Sequence, residues 1–217
     1  MHYPFFALLG LCLLFSGCAG LPKAAPSGEE ALARVLDGLP LRVIMNASLS
    51  YVGEAEAVVA SEREPTKRTY RAQVFVRADA ERRVLALAVV ERGRIAQGIW
   101  LDATGNDLSR HRYTGSVGAW IFQGLDGVYC GNDYYVERFL LERGYLLSDC
   151  WLYDMRSGLF DAGRTDKLSV QYAEPVADAQ LADFFGALFR EKKMDVHVQA
   201  FAERAGQTVR LLPAEAR

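Results

Sequence analysis

"RTYRAQVFVRADAERRVLALAVVER", residues 68 to 92, decides the fold. In its first half Tyr70, Ala72, Val74 and Val76 recur at every second position, the period of a strand with one buried face. Its second half is apolar on both faces, which suits a central strand covered on each side. Asp79-Ala80-Glu81 between the halves leaves room only for a tight turn, so the two runs predict a hairpin.

The same reading extends outward. In "LRVIMNASLSYV" (41–52) the set Leu41, Val43, Met45, Ala47, Leu49 and Tyr51 points inward, while Arg42, Asn46, Ser48 and Ser50 point outward. "EAEAVVASE" (54–62) and "RIAQGIWL" (94–101) read as further strands. Short charged or Gly/Pro links separate all of these, which predicts an antiparallel meander from about Leu41 to Leu101. Asp102 to Gly131, rich in glycine and aromatic residues, breaks the pattern and reads as irregular. Asp133 to Arg143 has helical spacing, with Val136, Phe139 and Leu140 on one face and Gly144 at its end. "LLSDCWLYDM" (146–155) and "KLSVQYAE" (167–174) add later strands. Helices are expected after the capping box Ser27-Gly28-Glu29-Glu30 and after Asp178. Residues 194–205 fit helix and strand alike. The expected fold is therefore α+β: an antiparallel sheet covered by helices, in one domain spanning 28–217.

Composition excludes some functions. The 217 residues carry 25 Lys and Arg against 27 Asp and Glu, interspersed, for a net charge of −2. No basic run points to nucleic acid.

The chain opens MHYPFFALLGLCLLFSGCAG, whose apolar centre is too short for a bilayer-spanning helix and suits a secretory signal, residues 1–17. Leu14-Phe15-Ser16-Gly17-Cys18 resembles the lipobox of bacterial lipoproteins. That resemblance implies cleavage before Cys18, diacylglycerol on its thiol and a membrane partner reached through the lipid. Ala19 stands where the class's inner-membrane retention signal places Asp. An outer-membrane anchor facing the periplasm is expected, with residues 18–27 as the tether.

In that oxidising compartment Cys130 and Cys150 are expected to pair. The alternative makes Cys130 a nucleophile: it precedes the helix at 133–143, and His197 lies downstream. This order resembles that of NlpC/P60-type cell-wall cysteine peptidases, although Tyr129-Cys130-Gly131-Asn132 replaces the family's Asp-Cys-Ser-Gly.

All three tryptophans, Trp100, Trp120 and Trp151, fall in the middle third beside Tyr129 and Tyr134. These five are the candidate lining of a cleft for an apolar envelope ligand, or of a surface for an envelope protein. Ordinary core packing is the competing account of the same residues. The carboxylates Asp102, Asp107, Asp126, Asp133, Asp149, Asp154, Asp161 and Asp166 are scattered, and linear spacing pairs none of them. With two histidines after the signal and both cysteines assigned, no metal site, cofactor or catalytic set is expected. A non-enzymatic binding lipoprotein is the leading expectation.

Overall fold

The hairpin at 68–92 forms as its pattern requires. In a computed structural model of the chain, residues 41–60, 67–100, 111–131, 133–176 and 196–213 are described. Strands β3 (Lys67–Ala78) and β4 (Val84–Ile95) pair antiparallel across the turn, where the Asp79 carboxylate accepts from the backbone N–H groups of Glu81 and Arg83. β2 (Ser50–Ala60) lies outside β3, so three strands of the longer meander expected over 41–101 form.

The fold class is not α+β. The chain is mostly β, with a seven-stranded antiparallel sheet, a separate two-stranded ribbon and two helices among the described residues. Three features overturn the expectation. First, "LRVIMNASLSYV" is not one strand. β1 (Leu41–Met45) ends in a turn closed by the Leu49 N–H on the Asn46 carbonyl, and it leaves the meander to pair with β9 (Val209–Pro213). Second, no strand continues to Leu101 as "RIAQGIWL" suggested; β4 stops at Ile95. Third, the glycine-rich stretch holds two strands, β5 (His111–Val117) and β6 (Trp120–Cys130). Glycine disfavours strands because it has nothing to pack. Here the neighbouring strand supplies the packing: Gly115 faces Phe122 and Gly124 faces Tyr113 in register, and each ring occupies the space a Cβ would need.

β7 (Cys150–Leu159) and β8 (Asp166–Pro175) follow β6 as a second meander, and β8 joins β4 to complete the order β2-β3-β4-β8-β7-β6-β5. Helix α1 (Tyr135–Leu141) lies between β6 and β7 in sequence, and α2 (Val196–Thr208) resolves the ambiguity at 194–205 as helix.

Each face of the sheet carries a buried hydrophobic cluster. On one, Phe75, Val90, Trp120, Leu152, Leu168 and Tyr172 pack against Leu41 and Val43 of β1, Phe201 of α2 and Val209 of β9. On the other, Val74, Val89, Leu125, Trp151 and Ala173 pack against Val136, Phe139 and Leu140 of α1. The first cover is half ribbon and half helix, which is why helices alone do not roof the sheet. The signal, the tether and the helices expected near 27–39 and 178–188 lie outside the described residues. Among those described, no helix is long and apolar enough to cross a membrane.

Candidate functional site

The second face is only partly covered. α1 has seven residues, about 10 Å at 1.5 Å per residue. Its position is set at both ends. Gly131, with φ of +132°, turns the chain out of β6 just after Cys130. Phe139 packs onto Gly53, where the β2 register slips and no Cβ intervenes. Beyond the first turn of α1 the sheet opens into a concavity of about 660 Å³. Its floor comes from Tyr70, Glu91, Tyr153, Met155, Lys167, Ser169 and Gln171, and its rim from Val58, Val59, Asp133 and Arg138.

Glu91 is the chemical centre. It is 7% exposed, and the hydroxyls of Tyr134 (2.7 Å) and Tyr135 (2.9 Å) both donate to its Oε2. Burial, and then the Glu91 carboxylate, pushes both tyrosines well above the ordinary phenol range, so each keeps the proton it donates. Tyr70 is raised for the same two reasons. The rings form a continuous wall: Tyr134 to Tyr135 at 4.9 Å, Tyr135 to Tyr70 at 6.2 Å and Tyr70 to Trp100 at 6.1 Å between centroids. Tyr70 and Trp100 reach one another over Gly93, whose Cβ would lie 3.2 Å from each ring. The Lys167 ammonium sits 4.7 Å from the Trp100 centroid and 6.0 Å from that of Tyr70.

The five aromatic candidates therefore separate. Tyr129 and Tyr134 line the concavity, and Trp100 stands behind Tyr70 at its flank. Trp151 is buried in the core beneath α1, and Trp120 is on the opposite face, stacked on Phe122 at 5.1 Å. Tyr135 stands among the middle-third aromatics of the sequence and Tyr70 among the inward residues of its strand, but Glu91 and Lys167, which come from two further strands, have no sequence signal that brings them to this site.

Cys130 and Cys150 are joined by a disulfide. They face one another on adjacent strands with Cα atoms 4.1 Å apart, near the roughly 4.5 Å of a non-hydrogen-bonded antiparallel pair. This sulfur carries no thiolate while the bond stands, which removes the nucleophile from the peptidase alternative. His197 lies in the first turn of α2, and its side chain falls outside the described residues. Cys18 does too.

The opposite face holds a second polar group. Asp126 and Asp154 stand directly across β6 and β7. Asp154 accepts from Arg156 Nη2 (2.7 Å) and from the Tyr113 hydroxyl (3.0 Å). Burial and the Asp154 charge push Asp126 up to about 7. Among the described residues no group of three or more His, Cys, Asp and Glu is placed to hold a metal.

Glu137 of α1 makes the fold sensitive to pH. Burial pushes its carboxyl up to about 7, against the lowering effect of hydrogen bonds from the Tyr134 N–H and the Tyr129 hydroxyl. Unfolding returns it toward 4.5, so between these values the native state binds more protons than the unfolded one. Stability therefore increases as pH falls from about 7 toward 4.5, and Asp126 acts in the same direction. The thermal midpoint is expected to be higher at an acidic pH inside this window than at an alkaline one, with Glu137→Gln flattening the difference. Equal midpoints in differential scanning calorimetry would remove Glu137 from this role.

No protein-family model matches the chain, and no curated protein or solved structure matches it.

Proposed function

We propose that this protein is a non-enzymatic outer-membrane lipoprotein, anchored through Cys18 and facing the periplasm, that binds an apolar envelope ligand. The concavity carries this reading. Its volume of about 660 Å³ lies in the range of roughly 300–1,000 Å³ typical of small-molecule sites. Met155 and the tyrosine rings supply apolar and aromatic surface, with a few convergent polar groups to orient a guest. Val59, exposed on edge strand β2 at the rim, extends the apolar surface outward. The anchor rests on Ser16-Gly17-Cys18 after the apolar run. Two or more acyl chains give lasting membrane attachment, at roughly 0.8 kcal/mol per buried methylene.

One experiment addresses both halves. Cys18→Ser should move the protein from the membrane fraction to the soluble periplasm. The released, folded protein should enhance the fluorescence of the apolar probe N-phenyl-1-naphthylamine, and Met155→Lys on the concavity floor should suppress that signal. Continued processing before residue 18 with membrane sedimentation would overturn the anchor. Unchanged probe uptake in Met155→Lys would overturn the ligand site.

A further inference from the structure

We propose that the concavity selects amphiphiles whose head group is a single cationic nitrogen, seated against Glu91 inside the tyrosine wall. This rests on the ligand-binding reading above and adds the chemistry of the head group.

Three observations converge on it. The first is an unusual carboxylate. Glu91 is more than nine-tenths buried and lines the cavity, yet its hydrogen bonds come from two neutral hydroxyls, both to Oε2. Among the described residues no ion pair reaches it and nothing donates to Oε1. A buried charge held only by neutral donors carries a desolvation cost that an approaching cation offsets.

The second is the wall. Tyr134 and Tyr135 meet Glu91 with their hydroxyl ends, Tyr70 packs on Tyr135, and the faces of such a ring cluster attract ammonium groups through their quadrupole. Lys167 shows that this wall accepts an ammonium, since its Nζ already lies over Trp100 and Tyr70 at the far end. The third is the direction of the remaining surface. Ala57 and Val59, on the same face of β2 as Tyr70 of β3, continue from the polar floor to the rim, which gives an alkyl chain an apolar path out of the site. An anionic head would face the Glu91 carboxylate and a neutral one would offer it no cationic partner, while Lys167, the cation of the floor, lies over Trp100.

The test titrates the purified full chain by calorimetry with octyltrimethylammonium, octyl glucoside and octyl sulfate, below micelle-forming concentrations. The three share a chain and differ in head-group charge. Octyltrimethylammonium is expected to bind about tenfold more tightly than octyl glucoside, with octyl sulfate weakest. Glu91→Gln keeps the shape and both tyrosine partners while removing the charge. It should abolish the ammonium preference, bringing octyltrimethylammonium to about the affinity of octyl glucoside for the same variant. Equal affinities for the three compounds, or a Glu91→Gln protein that keeps the preference, overturn the head-group proposal while the apolar-ligand reading stands. Binding of none of them overturns both. The comparison on the native chain decides the matter even where the variant fails to fold.

Discussion

Val43→Asp is expected to destabilise the domain by several kcal/mol, whereas Ser48→Asp, five residues along the same stretch, is expected to be close to neutral. Val43 lies in β1 opposite Leu211 and is 2% exposed, in a cluster with Leu41, Phe201 and Val209. A carboxylate placed there loses its hydration and gains only apolar neighbours in that cluster. An uncompensated buried charge costs roughly 3–5 kcal/mol. That is comparable with the whole stability of a small domain, about 5–15 kcal/mol. Ser48 is exposed in the turn after β1, where its N–H bonds the Asn46 side chain, an interaction that aspartate keeps. Its substitution should fall within about 0.5 kcal/mol of neutral. Urea unfolding followed by tryptophan fluorescence separates the two, since Trp120 belongs to the same core as Val43. Equal midpoints would mean that the β1–β9 ribbon does not pack on the sheet.

This pair of residues also shows what the sequence made legible. The alternation in 41–52 placed Leu41, Val43 and Leu49 inside and Arg42, Asn46 and Ser48 outside, and the structure agrees. It did not reveal that a turn at Asn46–Leu49 interrupts the run, where Ala47, expected inside, is exposed together with Asn46 and Ser48. Burial was readable where connectivity was not. Which strand β1 pairs with depends on β9, more than 160 residues away, and no local pattern encodes that contact. The error at 102–131 has another origin. Gly115 and Gly124 argue against strands when taken alone, and the rings that make them tolerable stand on the neighbouring strand.

The candidate site was less legible than the fold. Glu91 ends an apolar run and reads as the charged boundary of a covered strand. Its burial comes from Tyr134 and Tyr135, more than forty positions later, which the start of α1 brings over β4. The Asp126–Asp154 pair was within reach of the sequence. Once Cys130 is set opposite Cys150 on antiparallel strands, moving four residues back on one and four forward on the other brings the two aspartates face to face. The disulfide expectation carried that register, and the scattered carboxylates needed only to be read through it.

The same disulfide gives the second large effect. Cys130→Ser and Cys150→Ser should each destabilise the fold by about 3 kcal/mol, the chain-entropy value for a loop of this size, here 20 residues in separation. The double variant should cost little more than either single one, because one bond is lost once. Strong non-additivity is therefore the expected signature, read from urea unfolding of all three. Reduction of the native protein should reproduce it. A free catalytic thiol predicts a different pattern, in which Cys150→Ser is silent and Cys130 is alkylated without reductant in protein recovered from cells. The bond also reaches the site. It clamps the end of β6 to the start of β7 at the point where Gly131 turns the chain toward α1, three and four residues before the tyrosines on Glu91. Breaking it releases that turn, so ligand binding in the concavity should weaken along with stability. Reduced protein that is less stable yet binds with unchanged affinity would show that the Gly53–Phe139 contact alone positions the tyrosines.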